Sequence, residues 1–182
     1  MRLFIAIPMA DVVKKELTAI CAKLKTGTDG LRWSAAESWH VTLQFLGNTD
    51  ADQFPRVVAR LGAVRAASVP MALEGLGCFD RAGILYAGVQ LAPELISLQE
   101  RVMAAMAECG FAAEERAYHP HITLARTGRG DRRGVRELKA KIQVEPSFTR
   151  FVARDFCLYE SFLGPSGSRY EVRDRFELGG SR

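Results

Sequence analysis

The chain of 182 residues predicts an α/β domain of two lobes assembled from a repeated strand–helix–strand unit. Three observations carry that reading. The phrase His40-Val41-Thr42-Leu43 returns 81 residues later as His121-Ile122-Thr123-Leu124. Apolar runs of strand character exchange along the chain with apolar residues at helical spacing. At the same offset of 81, Leu3-Phe4-Ile5-Ala6 falls on Ile84-Leu85-Tyr86-Ala87 and Leu17 on Leu98, so strand, helix and motif strand recur in one order. The expectation is a single domain over residues 1–182, its lobes related by an approximate two-fold with the motifs at their interface.

Each element has its own signal. Arg2-Leu3-Phe4-Ile5-Ala6-Ile7-Pro8 reads as a first strand. Asp11 is placed to cap a helix with Val13, Leu17, Ile20 and Leu24 on one face, ending before Gly27. Leu31 to Ser34 is a short strand leading into the first motif strand, which ends at Gly47-Asn48. Asp50 and Gln53 have capping-box spacing ahead of a helix burying Phe54, Val57 or Val58, Leu61 and Val64. Strands from Met71 to Phe79 and Ile84 to Leu91 flank Asp80-Arg81-Ala82-Gly83, a hairpin signal. Pro93 opens a third helix with Leu95, Leu98, Val102 and Met106 inward, and Gly110 can end it. After the second motif come a basic loop and a short helix with Val135, Leu138 and Ile142. Two last strands, Phe151 to Leu163 and Arg169 to Leu178, flank the turn-forming Gly164 to Ser168.

Composition is that of a soluble globular protein, 48 % hydrophobic and 25 % charged. No run approaches a membrane span, and the N-terminus lacks a signal-peptide pattern, so a cytoplasmic chain is expected. Cys21, Cys78, Cys109 and Cys157 are scattered, which suits free thiols in a reducing compartment. The net charge of +4 is unevenly placed. Arg126, Arg129, Arg132, Arg133, Arg136, Lys139 and Lys141 stand against only Asp131 and Glu137, while the other 18 basic and 19 acidic residues nearly balance. Such a segment is either a solvated face or a landing surface for phosphates beside the second motif.

The paired motifs are where chemistry is expected. Eight threonines in 182 residues give any histidine about a 4 % chance of a threonine two places on. Two such hits among three histidines would arise by accident less than about 1 % of the time. Strand alternation puts His40 with Thr42, and His121 with Thr123, on one face, against Val41, Leu43 and Phe45 or Ile122 and Leu124 on the other. Phe45, opposite His40 by this count, is assigned to the core. Two imidazoles facing one another can serve as base and acid near neutral pH, and hydroxyls beside them can hold anionic oxygens. That set suits displacement at a phosphodiester. Parts for other hydrolyses are missing from the sequence: no acidic cluster for paired magnesium ions, no Gly-x-Ser-x-Gly, no phosphate loop. Arg126, just past the second motif, is a candidate phosphate contact, and Trp33, Trp39 and Tyr118 are candidate stacking surfaces for bases. His119 and His121 have the spacing of two metal ligands but no third in view, so His119 is read as an exposed or structural residue able to touch substrate.

The twin His-x-Thr phrases resemble the signature of the 2H phosphoesterase superfamily. With Arg2 to Pro8, Leu43-Gln44-Phe45-Leu46-Gly47, Pro120 to Arg126 and Arg169-Tyr170-Glu171-Val172, the chain is similar to the RNA 2′,3′-cyclic phosphodiesterases, also called 2′-5′ RNA ligases. The likeness runs from residue 2 to about 177. It implies a bilobal α+β fold, two antiparallel sheets around a central cleft with helices outside. The activity it implies is opening of an RNA or nucleotide 2′,3′-cyclic phosphate to a 2′-phosphate with no metal or other cofactor, some members also joining or cleaving 2′-5′ linkages. Carried onto this chain, His40 gives a proton to the leaving 3′ oxygen, His121 activates water, and Thr42 and Thr123 bind the phosphate. A monomer is expected. Two other readings stay open: a 2H enzyme for small nucleotides such as ADP-ribose cyclic phosphate or 2′-5′ oligoadenylate, and a non-catalytic RNA- or nucleotide-binding module.

Overall fold

A computed structural model of the protein describes residues 1–25, 30–114, 116–127, 134, 137, 142, 146–164 and 167–179. Its strands are β1 (Arg2–Pro8), β2 (Arg32–Trp33), β3 (His40–Asn48), β4 (Val69–Met71), β5 (Leu73–Phe79), β6 (Ile84–Val89), β7 (His121–Arg126), β8 (Phe151–Ala153), β9 (Asp155–Gly164) and β10 (Gly167–Glu177). The helices are α1 (Asp11–Leu24), α2 (Phe54–Gly62) and α3 (Pro93–Ala107), with a 3-10 turn at Ala36–Ser38. Two four-stranded sheets, ordered β10-β9-β1-β3 and β2-β7-β6-β5, and a two-stranded β4-β8 ribbon result. Every pairing within them is antiparallel. The architecture is the expected α+β one.

The halves of the chain do not each own a sheet. β2 comes from the first half yet pairs with β7, while β9 and β10, from the end, extend the sheet that β1 and β3 begin. Motif strands take corresponding places, His40 opposite Pro8 and His121 opposite Gly88. Counted from those pairs, the first strands correspond at a spacing of 80 rather than the expected 81. Ala6 then matches Tyr86, and Ile5 and Ile7 match Leu85 and Ala87. Burial agrees, because those four lie in the main core. Along a strand a slip of one residue exchanges the two faces, so the offset taken from the motifs alone assigns β6 the wrong way round.

One continuous core joins both sheets to the helices: Leu3, Ile5 and Ile7 of β1, Leu85, Ala87 and Val89 of β6, Val13 and Leu17 of α1, Leu61 of α2, Leu98 and Val102 of α3. The opposite face of β1 is buried too, in a small cluster of Phe4, Ala6, Cys157 and Tyr159 against Tyr170. All four cysteines are thiols, with no disulfide among them.

The helix ends correct several expectations. Asp11 is the first residue of α1 rather than its cap, which is Ala10 with no side-chain bond. Its carboxylate sits 3.5 Å from Lys14 and complements the helix dipole. Cys21, not Ile20, completes the buried stripe of α1. The Asp50–Gln53 capping box does not form, since the Gln53 N–H donates to the Asp50 carbonyl at 3.1 Å and α2 starts without a side-chain cap. α3 ends as expected, with Gly110 at φ 91° and the Phe111 N–H reaching the Met106 carbonyl at 3.1 Å. Met71 and Phe151, expected in long strands, belong instead to the β4-β8 ribbon. Arg129, Arg132, Arg133, Arg136, Lys139, Lys141, the helix expected through Val135 and Leu138, Gly27 and the turn residues Pro165 and Ser166 lie outside the described residues. Among the described residues no helix is long and apolar enough to cross a membrane.

Candidate active site

Both motif strands carry an extra residue at the same place. Ile5 pairs Gln44 and Ala6 pairs Thr42, which leaves Leu43 over; Leu85 pairs Ala125 and Tyr86 pairs Thr123, which leaves Leu124 over. These are β-bulges, and each resets the alternation. Past the first bulge Gln44 is buried and Phe45 returns to the face of His40 and Thr42. Past the second, Ala125 is buried and Arg126 returns to the face of His121 and Thr123. Phe45 is 70 % exposed and its ring lies 5.9 Å from Phe4, so its assignment to the core is corrected. Plain alternation would also have sent Arg126 inward.

The two imidazoles are oriented alike. Nδ1 of His40 lies 2.6 Å from the Ser38 carbonyl, and Nδ1 of His121 lies 2.8 Å from the His119 carbonyl. A carbonyl only accepts, so each Nδ1 carries hydrogen and each Nε2 is left to exchange protons. Rings fix the planes. His40 lies 4.8 Å from Phe4 and 5.9 Å from Tyr159, with Tyr170 edge-on at 5.2 Å. His121 stands edge-on to Phe79 at 4.9 Å and to Tyr86 at 5.5 Å. Tyr86 in turn stacks on Phe79 at 4.3 Å and passes over Gly77, where a Cβ would collide with its ring. His119 is exposed and packs on the same two rings, 6.3 Å from His121. No group of three or more His, Cys, Asp or Glu able to hold a metal occurs among the described residues.

Two hydrogen bonds cross from β3 to the segment that precedes β7. The Tyr118 hydroxyl donates to the Thr42 carbonyl at 3.0 Å, and Gln44 Nε2 donates to the Ala112 carbonyl at 3.4 Å. Tyr118 is thus a tie between the motif strands, not a free stacking surface. Trp39 is buried in the core, and Trp33 packs against it with Lys25 over its ring at 5.5 Å. The aromatics beside the histidines are Phe4, Phe45, Tyr159 and Tyr170 on one side and Phe79 and Tyr86 on the other. The sequence singles out none of them for this place, Phe45 being assigned to the core, because their positions follow from cross-strand register.

β3 and β7 lie against one another, and the charges of their side chains influence both imidazoles. Burial lowers the pKa of His40 to about 4; the Ser38 carbonyl works against it, and the charges of His121 and Arg126 add to it. His121 is lowered as well, by burial first, opposed by the His119 carbonyl and reinforced by the His119 and Arg126 charges. Arg126 therefore acts on both imidazoles.

A model of the 2′-5′ RNA ligase superfamily matches residues 16–162, most of the chain, and the chain belongs to that superfamily. It is 30 % identical to the RNA 2′,3′-cyclic phosphodiesterase of Archaeoglobus fulgidus, over 97 % of this chain and 100 % of the relative. To that of Thermotoga maritima it is 32 % identical, over 94 % and 92 %. Among solved structures, Escherichia coli LigT complexed with 3′-AMP superposes with a TM-score of 0.80 at 25 % identity, covering 97 % of both chains. A Thermus thermophilus protein does so at 0.81 and 26 %, covering 100 % of both.

Two outcomes test the electrostatics and the ring packing. Folding keeps His40 neutral, so its contribution to stability is complete above its unfolded pKa near 6.5 and is lost as pH falls toward 4. Across that window the wild type should lose up to about 3 kcal/mol more than His40→Asn in urea titrations, and equal losses would show that the ring is not desolvated. Gly77→Ala should push Tyr86 aside, expose His121 to water and raise its NMR-titrated pKa toward the ordinary imidazole value.

Proposed function

We propose that the protein is an RNA 2′,3′-cyclic phosphodiesterase that yields a 2′-phosphate. What supports this reading is a pair of imidazoles, each held at Nδ1 by a carbonyl, on matched, bulged strands that also carry Thr42, Thr123 and Arg126. The names of its relatives point the same way. His121 Nε2 takes a proton from water as the water oxygen bonds to phosphorus. The bond from phosphorus to O3′ breaks, and His40 Nε2 gives O3′ its proton. Thr42, Thr123 and Arg126 hold the non-bridging oxygens as charge gathers on them. A 5′-hydroxyl in place of water would make a 2′-5′ linkage by the same transfers. All these groups are side chains, so neither metal nor cofactor is required. One chain supplies both imidazoles, which supports a monomer, and four reduced thiols suit a reducing cytoplasm.

Burial makes His40 a reluctant acid in the free protein, and the anionic substrate supplies the remedy. A phosphodiester within a few ångströms favours the imidazolium and offsets Arg126. Substrate binding thus charges the acid it needs.

Alanine at His40 or at His121 should each lower kcat on a nucleoside 2′,3′-cyclic phosphate by about 10² to 10⁴, with wild-type turnover kept in EDTA. Loss of turnover on chelation would overturn the metal-free reading, and turnover surviving both substitutions would overturn the roles. Both pH profiles should be bell-shaped, and the alkaline limb of kcat, which reports the bound acid, should lie at higher pH than that of kcat/KM. Coincident limbs would mean that substrate does not charge His40.

A further inference from the structure

We propose that Arg32 binds the phosphate on the 5′ side of the terminal nucleoside, one step along the RNA from the cyclic phosphate. The proposal rests on the activity proposed above and concerns the same cleft. Arg32 lies directly opposite Arg126 in the β2–β7 ladder, so both guanidinium side chains leave the sheet on one face, that of His121 and Thr123. The register cannot slip. Trp33 pairs with Ala125 and packs on the core, and the Ser34 N–H donates to the carbonyl of the bulged Leu124 at 2.8 Å.

Like charges directly opposite one another destabilise a sheet, and among the described residues no carboxylate pairs with either arginine. An anion laid over the pair would relieve that repulsion. The two cations differ in reach. Arg126 shares strand and face with His121 and Thr123, which favours it for the reacting phosphate, whereas Arg32 does not belong to that strand. It stands one strand further out, exposed at the sheet edge. A guanidinium there meets the next phosphate of a chain and finds none on a mononucleoside substrate.

The test compares a nucleoside 2′,3′-cyclic phosphate with a dinucleotide carrying the same terminus, for wild type, Arg32→Gln and Arg32→Lys. Arg32→Gln should lower the preference for the dinucleotide, as the ratio of the two kcat/KM values, about tenfold, mostly through KM. Arg32→Lys should recover part of it, and the salt dependence for the dinucleotide should lose a slope of about 0.7 in Arg32→Gln. An unchanged ratio overturns the proposal, whether activity falls equally on both substrates or on neither. If wild type turns over neither substrate, the proposed activity fails by itself. Arg32 is then judged by affinity for a fluorescently labelled single-stranded RNA, where a loss of about tenfold in Arg32→Gln supports the contact and an equal affinity refutes it.

Discussion

The site depends on one constraint: a single unpaired residue just after the threonine of each motif strand. A regular strand would show His, Thr and the second residue beyond Thr on the cleft face. With Leu43 and Leu124 left out of the ladder, the third residue beyond Thr takes that place instead, and three functional side chains of each strand share one face. The bulged leucines stay buried, so the core anchors the irregularity that aims the site. Symmetry of backbone then meets asymmetry of sequence. Phe45 fills the position in the first sheet that Arg126 fills in the second.

Around each imidazole the same logic recurs with different side chains. A carbonyl two residues upstream orients Nδ1, and cross-strand aromatics hold the ring plane. The nest of His40 is built by β1, β9 and β10 on the buried second face of β1, which explains why desolvation is the largest influence on that ring. The nest of His121 depends on Gly77, whose missing side chain leaves room for Tyr86. His119 packs on the same rings, and its charge is among those that lower the pKa of His121.

Much of this was legible in the sequence. Periodicity located the helices, because the buried stripes of α1 and α3 follow the 3.6-residue repeat. The recurrence of His-x-Thr marks the candidate site, since a coincidence of residue types needs no geometry to be seen. What stayed hidden was register. Nothing local in Thr42-Leu43-Gln44-Phe45 announces a bulge, and so an exposed phenylalanine was assigned to the core. Capping signals mislead at Asp11 and Asp50, since neither α1 nor α2 begins with a side-chain cap. β2 is two residues long, too short for any pattern to tell which sheet it would join.

The crossing of β2 into the second sheet is what gives the cleft direction. Had Arg32–Trp33 extended the edge of β3, both lobes would present similar faces, and a phosphate would find no preferred side. Instead the first sheet shows the exposed ring of Phe45 on its motif face, and the second shows two guanidiniums on adjacent strands beside the rings of Phe79 and Tyr86. Bases stack on aromatic faces while phosphates seek cations, so the paired arginines distinguish the second sheet from the first. For the activity proposed above, that asymmetry would hold a linear substrate in one polarity. Under that proposal, polarity would decide which of two equivalent-looking histidines stands behind the attacking water and which stands beside the departing oxygen.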